Sequence, residues 1–283
     1  PIDCLKNNCH IAKKLRRLKI KQLILQVFLM PRPAIALVSF LAYLVTAKIG
    51  SIIHAVSGYS PTIWPPAGIA VAGILFGGRQ AVATTLIASF LVNFDLGLSL
   101  WTSILAGLGS TTSAWAAAAT IKARRHFEWN FTRPKDVFYF FLVPVLATQL
   151  IGALMCTLTL TGARLLTTED MLHFFFSFWI GDGLGVLMVV PVAMIWSLVP
   201  ARITVLERFA EFAILILTTL AVTSYLFIEF EAGQGPQAIF FRKIYIVFPV
   251  LVWGALRFGT LGFSTVMLIL SLIHISEPTR RYA

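Results

Sequence analysis

Ionisable side chains set inside otherwise apolar runs are the residues of this sequence whose chemistry most needs explaining. Asp182 sits in W-I-G-D-G-L-G-V-L-M-V-V-P, Trp179 to Pro191, and Arg257 in F-P-V-L-V-W-G-A-L-R-F-G, Phe248 to Gly259. If these runs are membrane helices entered near Met171 and Ile244, each charge lies roughly 16 to 20 Å along its helix, at about 1.5 Å per residue. A charge at that depth in hydrocarbon costs about 3 kcal/mol or more, so it must face the bundle interior, find a partner or lose its charge. An Asp182–Arg257 ion pair is the leading expectation, either as a structural clamp or as part of a sensing site. Lys48, halfway along another apolar run, is a third candidate for this polar layer, with snorkelling as the alternative for its flexible amine.

Other reactive residue types fall into no catalytic pattern. Cys4, Cys9 and Cys156 are too few and too scattered for a disulfide framework, and Cys4-Cys9-His10 lacks the spacing and fourth ligand of a zinc site. No metal or cofactor is expected. His54 and His173 near the outer mouth read as interfacial groups. Neither a Ser/His/Asp set, an HExxH helix nor a nucleotide motif occurs in a convincing context, so the visible chain reads as non-catalytic. The glycines around Asp182 sit amid Phe, Trp, Leu and Val, a poor setting for phosphate. Gly181 and Gly185, like Gly73 and Gly77, have instead the small-xxx-small spacing that lets helices approach closely. In P-T-I-W-P-P-A-G-I-A, Pro61 to Ala70, Trp64 suits a membrane interface and the two prolines a helix start; the segment is either that start or a ligand mouth.

The elements that must position these residues follow from composition. Hydrophobic residues make up 58% of the 283 positions and charged ones 12%, too little polar surface for a water-soluble globule of this size. Apolar runs approach the roughly 20 residues needed to span a bilayer as helix, without the alternation of barrel strands. The expectation is an all-α polytopic transmembrane bundle of about eight spans: 34–56, 63–77, 80–95, 98–121, 136–162, 171–198, 209–230 and 244–269. Gly77-Gly78-Arg79-Gln80 joins the two shortest as a helical hairpin. No internal repeat stands out.

Placing alternate loops on opposite sides assigns sixteen Lys and Arg to one face and three to the other. Cytoplasmic loops carry the excess, so both termini are expected on the cytoplasmic side. The same bias explains the net charge of +11 without nucleic acid, and the six basic residues between Lys13 and Lys21 suit anionic lipid headgroups. Short outer loops leave no room for an external binding domain, so any stimulus must be received within the helices or at their outer mouths.

The chain divides into a basic cytoplasmic or interfacial leader, 1–33, a membrane domain, 34–269, and a segment, 270–283, in which L-S-L-I-H-I-S-E-P-T-R reads like translated sequencing-adapter DNA. Resequencing the source DNA across Leu270 to Arg280 is expected to give a different continuation leading into an output domain. An unchanged coding sequence there would refute that expectation.

Four blocks, W-P-P-A-G-I-A at Trp64 to Ala70, S-F-L-V-N at Ser89 to Asn93, F-W-I-G-D-G-L-G-V-L at Phe178 to Leu187, and F-P-V-L-V-W-G-A-L-R-F-G at Phe248 to Gly259, resemble in order the first class of bacterial membrane-associated sensor domains, abbreviated MASE. The resemblance covers about residues 35 to 269. It implies a multi-pass sensory module of the bacterial inner membrane, coupled to a cytoplasmic histidine kinase, diguanylate cyclase or phosphodiesterase. Motif membership adds Trp64 and Asn93, as outer-mouth positions, to Asp182, Arg257 and Lys48. Expected partners are membrane lipids, a small-molecule or membrane-state stimulus, the output domain and a second copy in a homodimer. A secondary transporter of a small molecule or ion is the alternative.

Overall fold

The computed structural model describes residues 31–57, 63–198, 208–231 and 236–275. The basic leader up to residue 30 and the last eight residues, with the expectations attached to them, lie outside the described residues. Among the described residues, eight helices follow in order: α1 Arg32–Ser57, α2 Pro65–Gly77, α3 Arg79–Asp95, α4 Leu100–Ala123, α5 Pro134–Gly162, α6 Met171–Ser197, α7 Phe209–Glu231 and α8 Pro236–Ile275. By length and composition alone, stretches of five of them, Arg32–Ile52, Leu100–Ala123, Pro134–Gly162, Met171–Ser197 and Val247–Ser271, suffice to cross a membrane, the last of them interrupted at Gly259.

Local chemistry explains the helix ends. Pro65 and Pro134 open α2 and α5 at positions whose N–H would have no helical partner. The Ser99 hydroxyl accepts the Thr102 N–H at the start of α4, and the Lys122 ammonium at its end donates to the Ile74 carbonyl near the end of α2, 3.1 Å away. Hydroxyls within the helices donate to carbonyls one turn back, as Thr111 does to Gly107 and Thr219 to Leu215, which satisfies them without water. Size is distributed inside out: Leu37, Leu41, Val45 and Ile49 of α1 face outward, while Ala36, Ala47, Ala70, Ala81, Ala114 and Ala117 fill the core. In lipid, where apolar side chains gain little by leaving the solvent, small residues at contacts are what allow tight helix packing.

Two reversals shape the bundle. Gly78 (φ 67°, ψ −141°) and Gly259 (φ 60°, ψ −141°) share a backbone conformation that only glycine adopts without strain. At Gly78, α2 turns into α3, and a Cβ on Gly73 would stand 4.0 Å from the Ala81 Cβ. At Gly259, α8 folds back on itself, and a Cβ on Gly262 would stand 2.2 Å from the Gly254 carbonyl oxygen. Eight residues of straight helix span about 12 Å, so both contacts require a hairpin. The spacing Gly73, Gly78, Ala81 recurs as Gly254, Gly259, Gly262. Each hairpin tip also returns to the start of the long helix before it: Gly77 lies against Ala36 of α1, and the Phe258 ring stacks edge-on with Phe212 of α7 at 5.0 Å.

The fold therefore contains a repeated helix-plus-hairpin unit. Sequence inspection misses it because the copies share little beyond their glycines. The expected single span 244–269 is interrupted at Gly259, where α8 divides into the arms 236–258 and 260–275.

Replacing Gly78 or Gly259 by alanine is expected to cost about 1–3 kcal/mol for the strained backbone. Gly162→Ala, whose Cβ would meet nothing within 4 Å, should melt with the wild type. Thermal melts of the detergent-solubilised protein check this, and a wild-type melt for Gly259→Ala would remove the glycine requirement at that turn.

Candidate functional site: a polar cavity around Asp182

The glycine-rich stretch of α6 brings three segments to backbone contact. The Gly181 carbonyl accepts the Trp64 N–H at 3.0 Å. A Cβ on Gly185 would lie 2.0 Å from the Trp64 carbonyl oxygen, and one on Gly68 2.2 Å from the Gly185 oxygen. On another side of α6, a Cβ on Gly183 would lie 3.0 Å from the Val145 oxygen of α5. The Trp64 ring in turn covers Gly50 of α1. Glycine is required by space at Gly68 and Gly185, where backbone stands in the place of a side chain, and the small-xxx-small expectation for Gly181 and Gly185 meets its partner, the start of α2.

Asp182 lies among these glycines and is 3% exposed. It lines a small cavity together with Tyr43 of α1, Trp64 at the start of α2, Ser110 and Ser113 of α4 and Gln149 of α5, closed by alanines 67, 70 and 114. Gln149 is placed by a π-helical segment, Phe141–Ala147. Pro144 within it has no N–H to donate, and the ladder widens so that the Thr148 N–H reaches the Val143 carbonyl at 3.0 Å. The Pro144 carbonyl accepts the Thr148 hydroxyl at 2.8 Å and the Gln149 amide N–H at 3.0 Å. The Trp179 indole N–H, one turn before Asp182, donates to the Leu146 carbonyl at 2.9 Å. The π segment thereby positions Gln149 and ties α5 to α6 beside Asp182.

Asp182 forms no ion pair and accepts no hydrogen bond from any described side chain or backbone group. Among the described residues a second carboxylate, Asp136 at the start of α5, is also buried, but it is compensated: Arg124 lies 3.3 Å away and stacks 4.1 Å over the Tyr139 ring, while the Glu128 N–H donates to it at 3.2 Å.

The expected Asp182–Arg257 pair is corrected. Arg257 holds Glu211 of α7 in a two-point pair, with Nη2 to Oε2 at 2.9 Å. Because α8 reverses two residues later, Arg257 sits at a hairpin tip near the end of the bundle and not at mid-span. Lys48 is also removed from the buried layer. It is exposed and pairs at 2.5 Å with Asp95, where α3 ends. Asn93 donates to the Ser89 carbonyl of its own helix at 2.8 Å and does not line the cavity; Trp64 does. Sequence reading missed Tyr43, Ser110, Ser113 and Gln149. Pro144 and the polar Gln149 inside the apolar run 136–162 were the available signals.

These features describe a polytopic helical membrane domain with one buried, uncompensated carboxylate at the meeting point of its tightest contacts. Residues 35–277 match the MASE1 family model, and the chain belongs to that family of membrane sensory domains. No curated protein and no solved structure matches it.

Gly185→Ala is expected to cost at least the 1–3 kcal/mol typical of overpacking, because the obstacle is backbone and cannot rotate away. For the charges, exchanging Glu211 and Arg257 should recover melting temperature lost in either single reversal, whereas exchanging Asp182 and Arg257 should not. Rescue by the second exchange would restore the direct pair rejected above.

Proposed function

We propose that this MASE1 domain is the sensory module of a bacterial inner-membrane signalling protein. In this reading, occupancy of the Asp182 cavity biases the packing of α2, α5 and α6, and the helices carry that bias to a cytoplasmic histidine kinase or cyclic-di-GMP enzyme. The observation that carries it is the unpaired carboxylate at the junction of Trp64, Gly181 and Gly185. An uncompensated polar group inside a membrane bundle is expensive and is kept where it has a function. It stands where a small displacement is transmitted at once, since backbone contacts without intervening side chains have no slack to absorb it. The excess of Lys and Arg around the starts of α1 and α5 supports placing that face in the cytoplasm.

The repeated helix-plus-hairpin unit favours a second reading, ion or solute transport, because many transporters are built from internal repeats with sites at discontinuous helices. Flux across reconstituted vesicles separates the two.

In the protein joined to its output domain, folded Asp182→Asn should change basal output several-fold, measured beside a cooperative melt that shows the variant is folded. Unchanged output across the stimulus range would sink the sensory reading.

A further inference from the structure

Two of the polar groups around Asp182, Ser113 and Gln149, have their protons engaged away from it. Ser113 spends its hydroxyl proton on the Ser110 carbonyl, 2.9 Å away, which leaves its oxygen lone pairs. Gln149 spends its amide N–H groups on the Pro144 carbonyl at 3.0 Å and the Thr148 hydroxyl at 3.2 Å, which leaves its carbonyl oxygen. With the Asp182 carboxylate and the Ser110 and Tyr43 hydroxyls, these side chains supply oxygen ligands to a space that Trp64 also lines. No Lys, Arg or His lines the space.

The cavity has room for about one water molecule, which excludes an organic ligand. Oxygen ligands of this kind suit hard cations. A single carboxylate balances a single positive charge, and a divalent ion would leave net charge stranded in a low-dielectric interior. A proton alone needs neither space nor converging oxygens, and the cavity provides both.

We propose that the Asp182 cavity binds one dehydrated alkali cation of sodium size, held by the Asp182 carboxylate, the Gln149 amide oxygen and the hydroxyl oxygens of Tyr43, Ser110 and Ser113. The ion supplies the charge that no described side chain offers Asp182. Its arrival or loss changes the electrostatic balance at the contact between α6 and the start of α2. As the stimulus of the domain, this ion rests on the sensory reading above; as a ligand, it does not.

The test is equilibrium binding of radioactive Na⁺ to the purified full chain in lipid nanodiscs, at mildly alkaline pH and with choline as the replacement cation. Saturable binding near one ion per chain is expected, with melting temperature rising with Na⁺ and not with choline at equal ionic strength. Asp182→Asn should lose binding at least tenfold. Gln149→Ala and Ser113→Ala should weaken it several-fold, which keeps the site testable if the aspartate variant does not fold. Absence of saturable Na⁺ binding to folded wild-type protein, with stability responding to pH alone, identifies a proton site and overturns the proposal, as does undiminished binding by folded Asp182→Asn. If Na⁺ binds but leaves the output of the complete signalling protein unchanged, the cation site stands and the sensory reading falls.

Discussion

The contact of the Trp64–Gly68 segment with Gly181 and Gly185 is the constraint around which the first half of the bundle is arranged. Two backbones touch there without side chains between them: Trp64 donates its N–H to Gly181, and its carbonyl oxygen occupies the place of a Gly185 side chain. Such an approach gives many dispersion contacts, the main source of helix association where lipid already solvates apolar groups. It also fixes the rotation of α6. Gly183 is directed at the π segment of α5, and Asp182 at the space enclosed by α1, α2, α4 and α5.

The π segment completes this arrangement from the other side. Pro144 disturbs the hydrogen-bond ladder of α5, and in the widened turn its own carbonyl accepts from Thr148 and Gln149 while the Leu146 carbonyl accepts from Trp179. A regular helix would have no reason to place Gln149 in that register. The irregularity is stable in lipid because each freed carbonyl named here finds a donor within the protein, a requirement that hydrocarbon imposes strictly. Polar geometry beside Asp182 is thus set by packing and backbone demand together.

The second half repeats the logic of the first with different side chains. Gly259 reverses α8 as Gly78 reverses α2 into α3, and both tips return to the start of the preceding long helix. The copies diverge in what their tips carry. Lys122 closes the first by binding the Ile74 carbonyl, while the second is joined to α7 by the Arg257–Glu211 pair and by Phe212. An arginine that reads as mid-membrane along an unbroken span thereby becomes a group at the edge of the bundle.

The sequence by itself determined the solvent, the helical class, the positions of most helices and the family blocks. These depend on local properties: apolar run length, proline at helix starts, glycine at turns and the cost of backbone groups in lipid. It also singled out Asp182, because a carboxylate in an apolar run is conspicuous whatever surrounds it. Only the tertiary structure decided which charges meet. Lys48 found Asp95, Arg257 found Glu211, and Asp182 was left with Gln149, Tyr43 and the α4 serines. Pairing depends on depth and helix rotation. A single glycine dihedral at residue 259 changed the depth of Arg257, and backbone contact at Gly181 and Gly185 set the rotation of Asp182; neither quantity is carried by the spacing of residues along one helix.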